Sequence, residues 1–184
     1  MGNRTKVTDR WYGGRSRVTD IERKPREPFR GTPQFTFEQL YISPFTHRRD
    51  TDQYGNVGYY PMEAPNLAPT GVAVMDDWLR HLHRGQSDVA EFCTRYNART
   101  ADIDSLVFLL TGMTNQELRT RWQFRTADDL LRYTDMHIAD IARLSGMGTR
   151  GNMYFLYERD HDLSPTDRRR QLRQKGDLGR YIIR

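Results

Sequence analysis

Arg150 and Asn152 follow Thr149, a residue able to N-cap a helix, and Tyr154 stands two positions further along the same segment. Arginine donates two parallel hydrogen bonds to guanine, and asparagine pairs in the same bidentate way with adenine. The same residue types also decorate ordinary solvated helices. Downstream, Ser164-Pro165 opens a segment carrying Arg168, Arg169, Arg170 and Arg173. Their planar guanidinium forks suit phosphate, or they solvate a terminal helix. These seven residues are the candidate DNA contacts. Other side chains with chemical potential lead nowhere. His81-x-His83 lacks the spacing of two metal ligands on one helix face, and no carboxylate stands at ligand spacing. A single cysteine, Cys93, excludes a disulfide framework within the chain and a cysteine-rich zinc site, and it lies on the apolar face of its helix. No nucleotide loop, Ser-His-Asp set or carboxylate pair is present. The sequence implies neither an enzyme nor a cofactor nor a metal.

The elements that must position those residues begin at Val74. Met75, Trp78, Leu79 and Leu82 have the i, i+3, i+4, i+7 spacing of an amphipathic helix, and Gly85 follows as a C-cap. Ser87 is placed to cap a helix from Asp88 to Tyr96, and Thr100 a further one ending at Thr111-Gly112. Thr114 opens a long segment, Asn115–Tyr133, with Leu118, Trp122, Leu130 and Leu131 on one face. A short helix, Ile138–Leu144, leads into the turn Gly146-Met147-Gly148, and Thr149 caps a helix running to about Asp160. The last helix is expected from Thr166 to Lys175. Twice a short helix, a tight turn and a second helix succeed one another, which is the helix-turn-helix pattern.

Residues 1–73 have a different texture. Prolines and glycines recur too closely for long helices or central strands, yet aromatics are plentiful, as they are not in free disordered tails. An extended arm lying against another surface is the expectation, with Gln34–Ile42 and Gly58–Met62 as strand-like or extended runs. Its Arg4, Arg10, Arg15, Arg17 and Arg23 suit phosphate or a minor groove, or belong equally to a plain disordered basic tail. Charge is uneven along the 184 residues. Residues 1–50 carry 11 basic and 6 acidic side chains, residues 51–115 carry 4 and 8, and residues 136–184 carry 10 and 6. Basic ends around an acidic middle suit a polyanion touched at two places. Hydrophobic residues make up 36% of the chain, and no apolar run approaches the roughly 20 residues needed to span a bilayer. No secretory signal is visible, so the expected compartment is the cytoplasm.

The run Asp135-Met136-His137-Ile138-Ala139-Asp140-Ile141-Ala142-Arg143-Leu144-Ser145-Gly146-Met147-Gly148 resembles the second helix-turn-helix of AraC-type transcription regulators. Met153, Leu156 and Tyr157, then Ser164-Pro165 and Arg168-Arg169-Arg170, continue that pattern. Ala127-Asp128-Asp129-Leu130-Leu131 is similar to the end of the family's linker helix, and Leu110-Thr111-Gly112-Met113-Thr114 to the step closing its first unit. The resemblance covers about residues 75–173. It implies two units that read adjacent major-groove segments of double-stranded DNA, about 34 Å apart. This sequence departs from the family at Asp102, Asp104 and Ser105, where DNA-facing polar or basic residues are usual. Phe108, Leu109 and Leu110 stand where charged solvent residues are usual, which suggests a protein contact or self-association over the first unit and the arm. Phe155 replaces a polar DNA-facing residue, and the family's cupin-like sensor has no counterpart in residues 1–73.

The expected fold is all-α: two helix-turn-helix units joined by a long linker helix in residues 74–184, preceded by an extended arm over 1–73. The expected function is sequence-specific DNA binding in transcription regulation through the second unit. The alternative is a structural subunit of a protein or ribonucleoprotein assembly using the same fold for protein interaction.

Overall fold

A computed structural model describes residues 27–183. The order of elements is α1 (Phe37–Leu40), β1 (Phe45–Thr51), β2 (Val57–Pro61), α2 (Ala73–His83), α3 (Val89–Tyr96), α4 (Thr100–Thr111), α5 (Asn115–Tyr133), α6 (Ile138–Leu144), α7 (Arg150–His161), α8 (Pro165–Leu172) and β3 (Tyr181–Ile183). The arginines expected to act from the arm, Arg4, Arg10, Arg15, Arg17 and Arg23, lie outside the described residues.

Side chains at the helix starts set most of these boundaries. Thr114 and Glu117 form a reciprocal capping box at α5, satisfying two amide groups that the helix itself cannot. Thr149 accepts from the Asn152 amide at α7, and Ser164 accepts from Asp167 at α8, where Pro165 occupies the first helical position. Two caps differ from expectation. Asp88 rather than Ser87 caps α3, accepting from Ala90 and Glu91, because the Ser87 hydroxyl donates instead to the Gly146 carbonyl at 3.0 Å. Thr100 is already helical, and the Arg99 amide donates to the Asp102 carboxylate at 2.9 Å.

The chain builds two cores, and α5 belongs to both. In the first, Met75, Trp78, Leu79, Phe92, Ile103 and Val107 surround Leu118 and Trp122. In the second, Ile141, Ala142, Met147, Met153 and Tyr157 surround Leu130 and Leu131. Each large apolar side chain buried in this way contributes about 1.5–3 kcal/mol. The buried Trp78 indole donates to Asn115 Oδ1 at 3.0 Å, so no donor is lost there.

The fold is not all-α. Strands β1, β2 and β3 form an antiparallel sheet in the order β2-β1-β3. Two of its strands and α1 come from the segment expected as an extended arm, and that segment buries Phe37, Leu40, Ile42 and Phe45. The physical reason is local and distant at once. Strand β1 has a single buried residue and no alternation of apolar side chains, so its own sequence carries little strand signal. Its partner β3 lies more than 130 residues away in the chain. What joins them is aromatic packing: Phe45 stacks on Tyr181 at 4.7 Å, and Tyr133 of α5 meets both rings edge-on. The run Gln34–Ile42 contains a single helical turn, α1, held by a Thr36–Gln39 capping box, whereas Gly58–Met62 largely coincides with β2.

The two units touch directly through their turns. Gly85 has φ +75°, and a Cβ there would stand 2.7 Å from the Arg143 carbonyl oxygen and 2.8 Å from that of Leu144. Gly85→Ala therefore meets both a left-handed backbone and rigid main-chain atoms. The expected loss is about 2–3 kcal/mol in urea unfolding.

His81 is 1% exposed and packs against the rings of Trp78 and Phe92, which also touch each other. Burial, with the Arg95 charge behind it, pushes its pKa below the ordinary value of 6.5. The unfolded chain takes up that proton first, so stability falls as pH drops below about 6.5. Urea midpoints at about pH 7.5 and about pH 5.5 should differ more for the wild type than for His81→Phe, which has no proton to gain.

Candidate nucleic-acid interface

The second unit is assembled around its turn. Ile141 and Ala142 of α6 are buried, and Gly146 and Gly148 take φ of +77° and +82°, values that L side chains rarely adopt. The Gly148 amide donates to the Ala142 carbonyl at 3.0 Å, and Met147 fills the space between α6 and α7. The α5 side chain Gln123 donates to the Gly146 carbonyl at 2.7 Å, so the linker helix and the first unit's Ser87 grip the same peptide.

Helix α7 is fastened through Tyr157. Its hydroxyl donates to Asp128 at 2.8 Å, and the Arg168 guanidinium donates to the same carboxylate, with contacts from 2.6 to 3.3 Å. Burial, and then the Asp128 charge, pushes the Tyr157 hydroxyl pKa far up. Asp128 raises that of Arg168. One carboxylate of α5 thus orients both α7 and α8.

The candidate contacts divide accordingly. Arg150 is exposed, its guanidinium 5.4 Å from the Tyr154 ring. Tyr154 is half-buried, its hydroxyl 3.1 Å from the Thr166 hydroxyl, a contact that together with Arg150 lowers its pKa. Arg150, Tyr154, Thr166 and Arg169 line, with His137 and Ile138, a groove of about 420 Å³. Asn152 lies beside it, but its amide nitrogen donates to the Met147 carbonyl at 2.7 Å. Bidentate pairing with adenine requires that bond to open. Arg169 donates to the Met136 carbonyl at 2.5 Å, and burial followed by the Arg173 charge lowers its pKa. Arg173 pairs with Asp135 at 2.9 Å and donates to the Thr134 carbonyl at 2.5 Å. Arg170 is exposed and pairs with Asp167 at 2.8 Å. Arg168 and Arg173 thus hold α8 against α5 and the loop after it, and Arg170 faces solvent.

In the first unit, Asp102 folds back on Arg99, whose side chain and amide both donate to it. These bonds hold its carboxyl below the usual range. Phe108 is half-buried and meets Phe29 edge-on at 5.3 Å. Leu110 is buried, and its carbonyl accepts from the Gln34 and Phe35 amides. Leu109 is 63% exposed. Among the described residues no group of three or more histidine, cysteine or acidic side chains is placed to hold a metal.

Sequence reasoning passed over Asp128, Gln123 and Gly85 as positioning residues. Asp128 sits in a run of charged helix residues and meets Tyr157 and Arg168 at separations of 29 and 40 residues, for which no local pattern exists.

This geometry defines a double helix-turn-helix protein. No family model matches the chain. Curated relatives do: the HTH-type transcriptional activators RhaS of Yersinia pestis (strain Pestoides F) and of Yersinia pseudotuberculosis serotype O:1b (strain IP 31758). Each is 31% identical over 96 residues, 52% of this chain and 35% of the relative. The match thus spans about a third of the relatives' length. Among solved structures, a chain described as the xylose-binding transcription activator xylR aligns at 16% identity with a TM-score of 0.43, covering 61% of this chain and 29% of that one; so slight a likeness carries no argument. The helix-turn-helix region of this chain is similar to that part of the RhaS activators.

Removing the Asp128 charge should loosen α7 and α8 together. Asp128→Asn leaves a half-buried guanidinium without its counter-charge, and the expected cost is about 1.5–3 kcal/mol in thermal or urea unfolding. Arg170→Ala breaks only an exposed pair and should stay within about 0.5 kcal/mol of wild type.

Proposed function

We propose that this chain is a DNA-binding transcription regulator, not an enzyme, that acts in the cytoplasm and reads double-stranded DNA chiefly through α6, the turn and α7. The observation that carries this reading is the helix-turn-helix spacing of residues 138–161, with Arg150 free at the start of α7, in a region similar to named transcriptional activators. Arg150 and Tyr154 face the bases. Arg169 and Arg170 of α8 approach the backbone, with Arg168 and Arg173 fixing the helix that bears them. The reading part is residues 74–184, and Phe37, Leu40, Ile42 and Phe45 of the segment before it pack into the two cores. No described helix is long and apolar enough to cross a membrane. Nothing in the relatives favours the assembly-subunit alternative.

Binding of the full chain to a duplex enriched from a random pool, at two salt concentrations, tests this reading. Arg150→Ala should cost roughly 1–3 kcal/mol on the enriched site and relax one base position. Arg170→Ala should weaken all sequences alike and reduce the salt slope by about one. Absence of binding at low salt refutes the regulator reading.

Self-association through the first unit belongs to the same proposal and centres on Leu109, since Leu110 is buried and Phe108 meets Phe29. Leu109→Asp should lower the mass measured by light scattering without changing helical content. An unchanged mass removes that contact from the proposal.

A further inference from the structure

Helix α7 has an apolar residue at the centre of its outer face. Met153 and Tyr157 define the buried side, and at 3.6 residues per turn Phe155 falls opposite the line midway between them. It is 59% exposed, with the Arg159 guanidinium 5.8 Å from its ring, and Arg159 is itself held by Asp160 at 2.7 Å. Among the described residues, the Arg159 guanidinium is the one charged group set over this ring, and the ring is not part of either core. Gly151 lies one turn earlier on the same side. Glycine weakens a helix relative to alanine, and here the fold gains no room from it: its φ is not positive, and among the described residues nothing beyond its chain neighbours and the backbone of its own helix lies within 4 Å of where a Cβ would stand. A bare patch and an exposed ring, i and i+4 on one face, leave an apolar notch. Arg159, paired with Asp160, borders it.

We infer that Phe155 is a specificity-determining residue that reads thymine through its C5 methyl group, with Gly151 giving the base edge room to approach. The inference rests on the reading of α7 as the helix that enters the major groove. A thymine methyl is the one apolar group a base pair displays there, and phenylalanine is among the side chains that contact it. Phe155 is the sixth residue of α7, about 7.5 Å along the axis from Arg150, so both fit within one groove segment. Arg150, exposed next to Gly151 at the start of the helix, offers phosphate a cation that a purely apolar protein partner would not use.

The test takes the enriched duplex and replaces its thymines one at a time with deoxyuridine, which lacks only the methyl. The wild-type chain should lose about fourfold in affinity at one or two positions. Phe155→Ala should lose a similar factor on the thymine duplex and no longer distinguish thymine from uracil there, and Phe155→Leu should restore part of the discrimination. Gly151→Ala should raise the unfolding midpoint while weakening binding, an opposition that a structural role does not produce. If no thymine position responds, or Phe155→Ala keeps the thymine preference, the inference is overturned while DNA binding stands. If Phe155→Ala changes the light-scattering mass and leaves the thymine preference intact, the ring is a protein contact and the inference is equally overturned. Failure to enrich any sequence refutes the regulator reading, and this inference with it.

Discussion

Everything in this fold depends on one helix being buried at both ends in different cores. The 19 residues of α5 place Leu118 and Trp122 in the first unit and Ala127, Leu130 and Leu131 in the second. A helix of that length runs about 28 Å, so it acts as a ruler between two bodies too small to be stable alone. A ruler by itself leaves the units free to rotate about it. The contact between turns removes that freedom: Gly85 lies against the backbone of Arg143 and Leu144, and the Gly146 carbonyl accepts from both Ser87 and Gln123. Glycine is required at Gly85 because any Cβ would separate the two turns. Main-chain atoms in contact have no rotamers with which to adapt, so the relative placement of α4 and α7 is set by backbone.

The polar groups of α5 then extend this control outward. Asp128 binds Tyr157 and Arg168, and Asp129 accepts from the Tyr41 hydroxyl at 3.1 Å, tying the segment before α2 to the same helix. Burial raises the Asp129 pKa, opposed by Arg125 and by the Tyr41 bond. These side chains are neither free surface nor core. They convert the position of α5 into the orientations of α7, α8 and the Tyr41 loop. The basic residues of α8 show the consequence, because Arg168 and Arg173 are drawn inward by Asp128 and Asp135 before any polyanion is considered.

What the sequence reveals follows from how far each interaction reaches along the chain. Helix α5 is legible because its cap, Thr114 with Glu117, and its apolar face are contained within 20 residues. The turn of the second unit is legible because Gly146 and Gly148 must stand where the backbone turns left-handed. Strand β1 is not, since Phe45 alone is buried and its pairing with Ile183 depends on residues at the far end of the chain. The cap of α3 is misread for a related reason: Ser87 and Asp88 are both competent, and the choice is made by Gly146, which takes the serine hydroxyl. At the interface, Arg150 after its cap is visible in the order of residues. The direction of Arg168 is not, because a partner 40 residues earlier decides it.

The two units share a helix length and a pattern of burial, so their outer faces can be compared position by position. Helices α4 and α7 each have 12 residues and bury the fourth and eighth, Ile103 and Val107 in one, Met153 and Tyr157 in the other. At the first position Thr100 stands against Arg150, at the third Asp102 against Asn152, at the sixth Ser105 against Phe155, and at the tenth Leu109 against Arg159. The same scaffold thus presents a neutral-to-acidic face on one side of α5, and on the other a face with an aromatic centre and an exposed Arg150 at its start. Phosphate is repelled by the carboxylates of the first and meets Arg150 on the second. Because the turn contact holds both faces at one spacing, approach of α7 to a duplex also brings α4 near it, whatever α4 contributes. The first unit's acidic character is moderated locally, because Arg99 pairs with Asp102 at the start of α4. The two faces therefore differ in chemistry while sharing one scaffold, with Leu109 exposed on the outer edge of α4 and Phe155 at the centre of the outer face of α7.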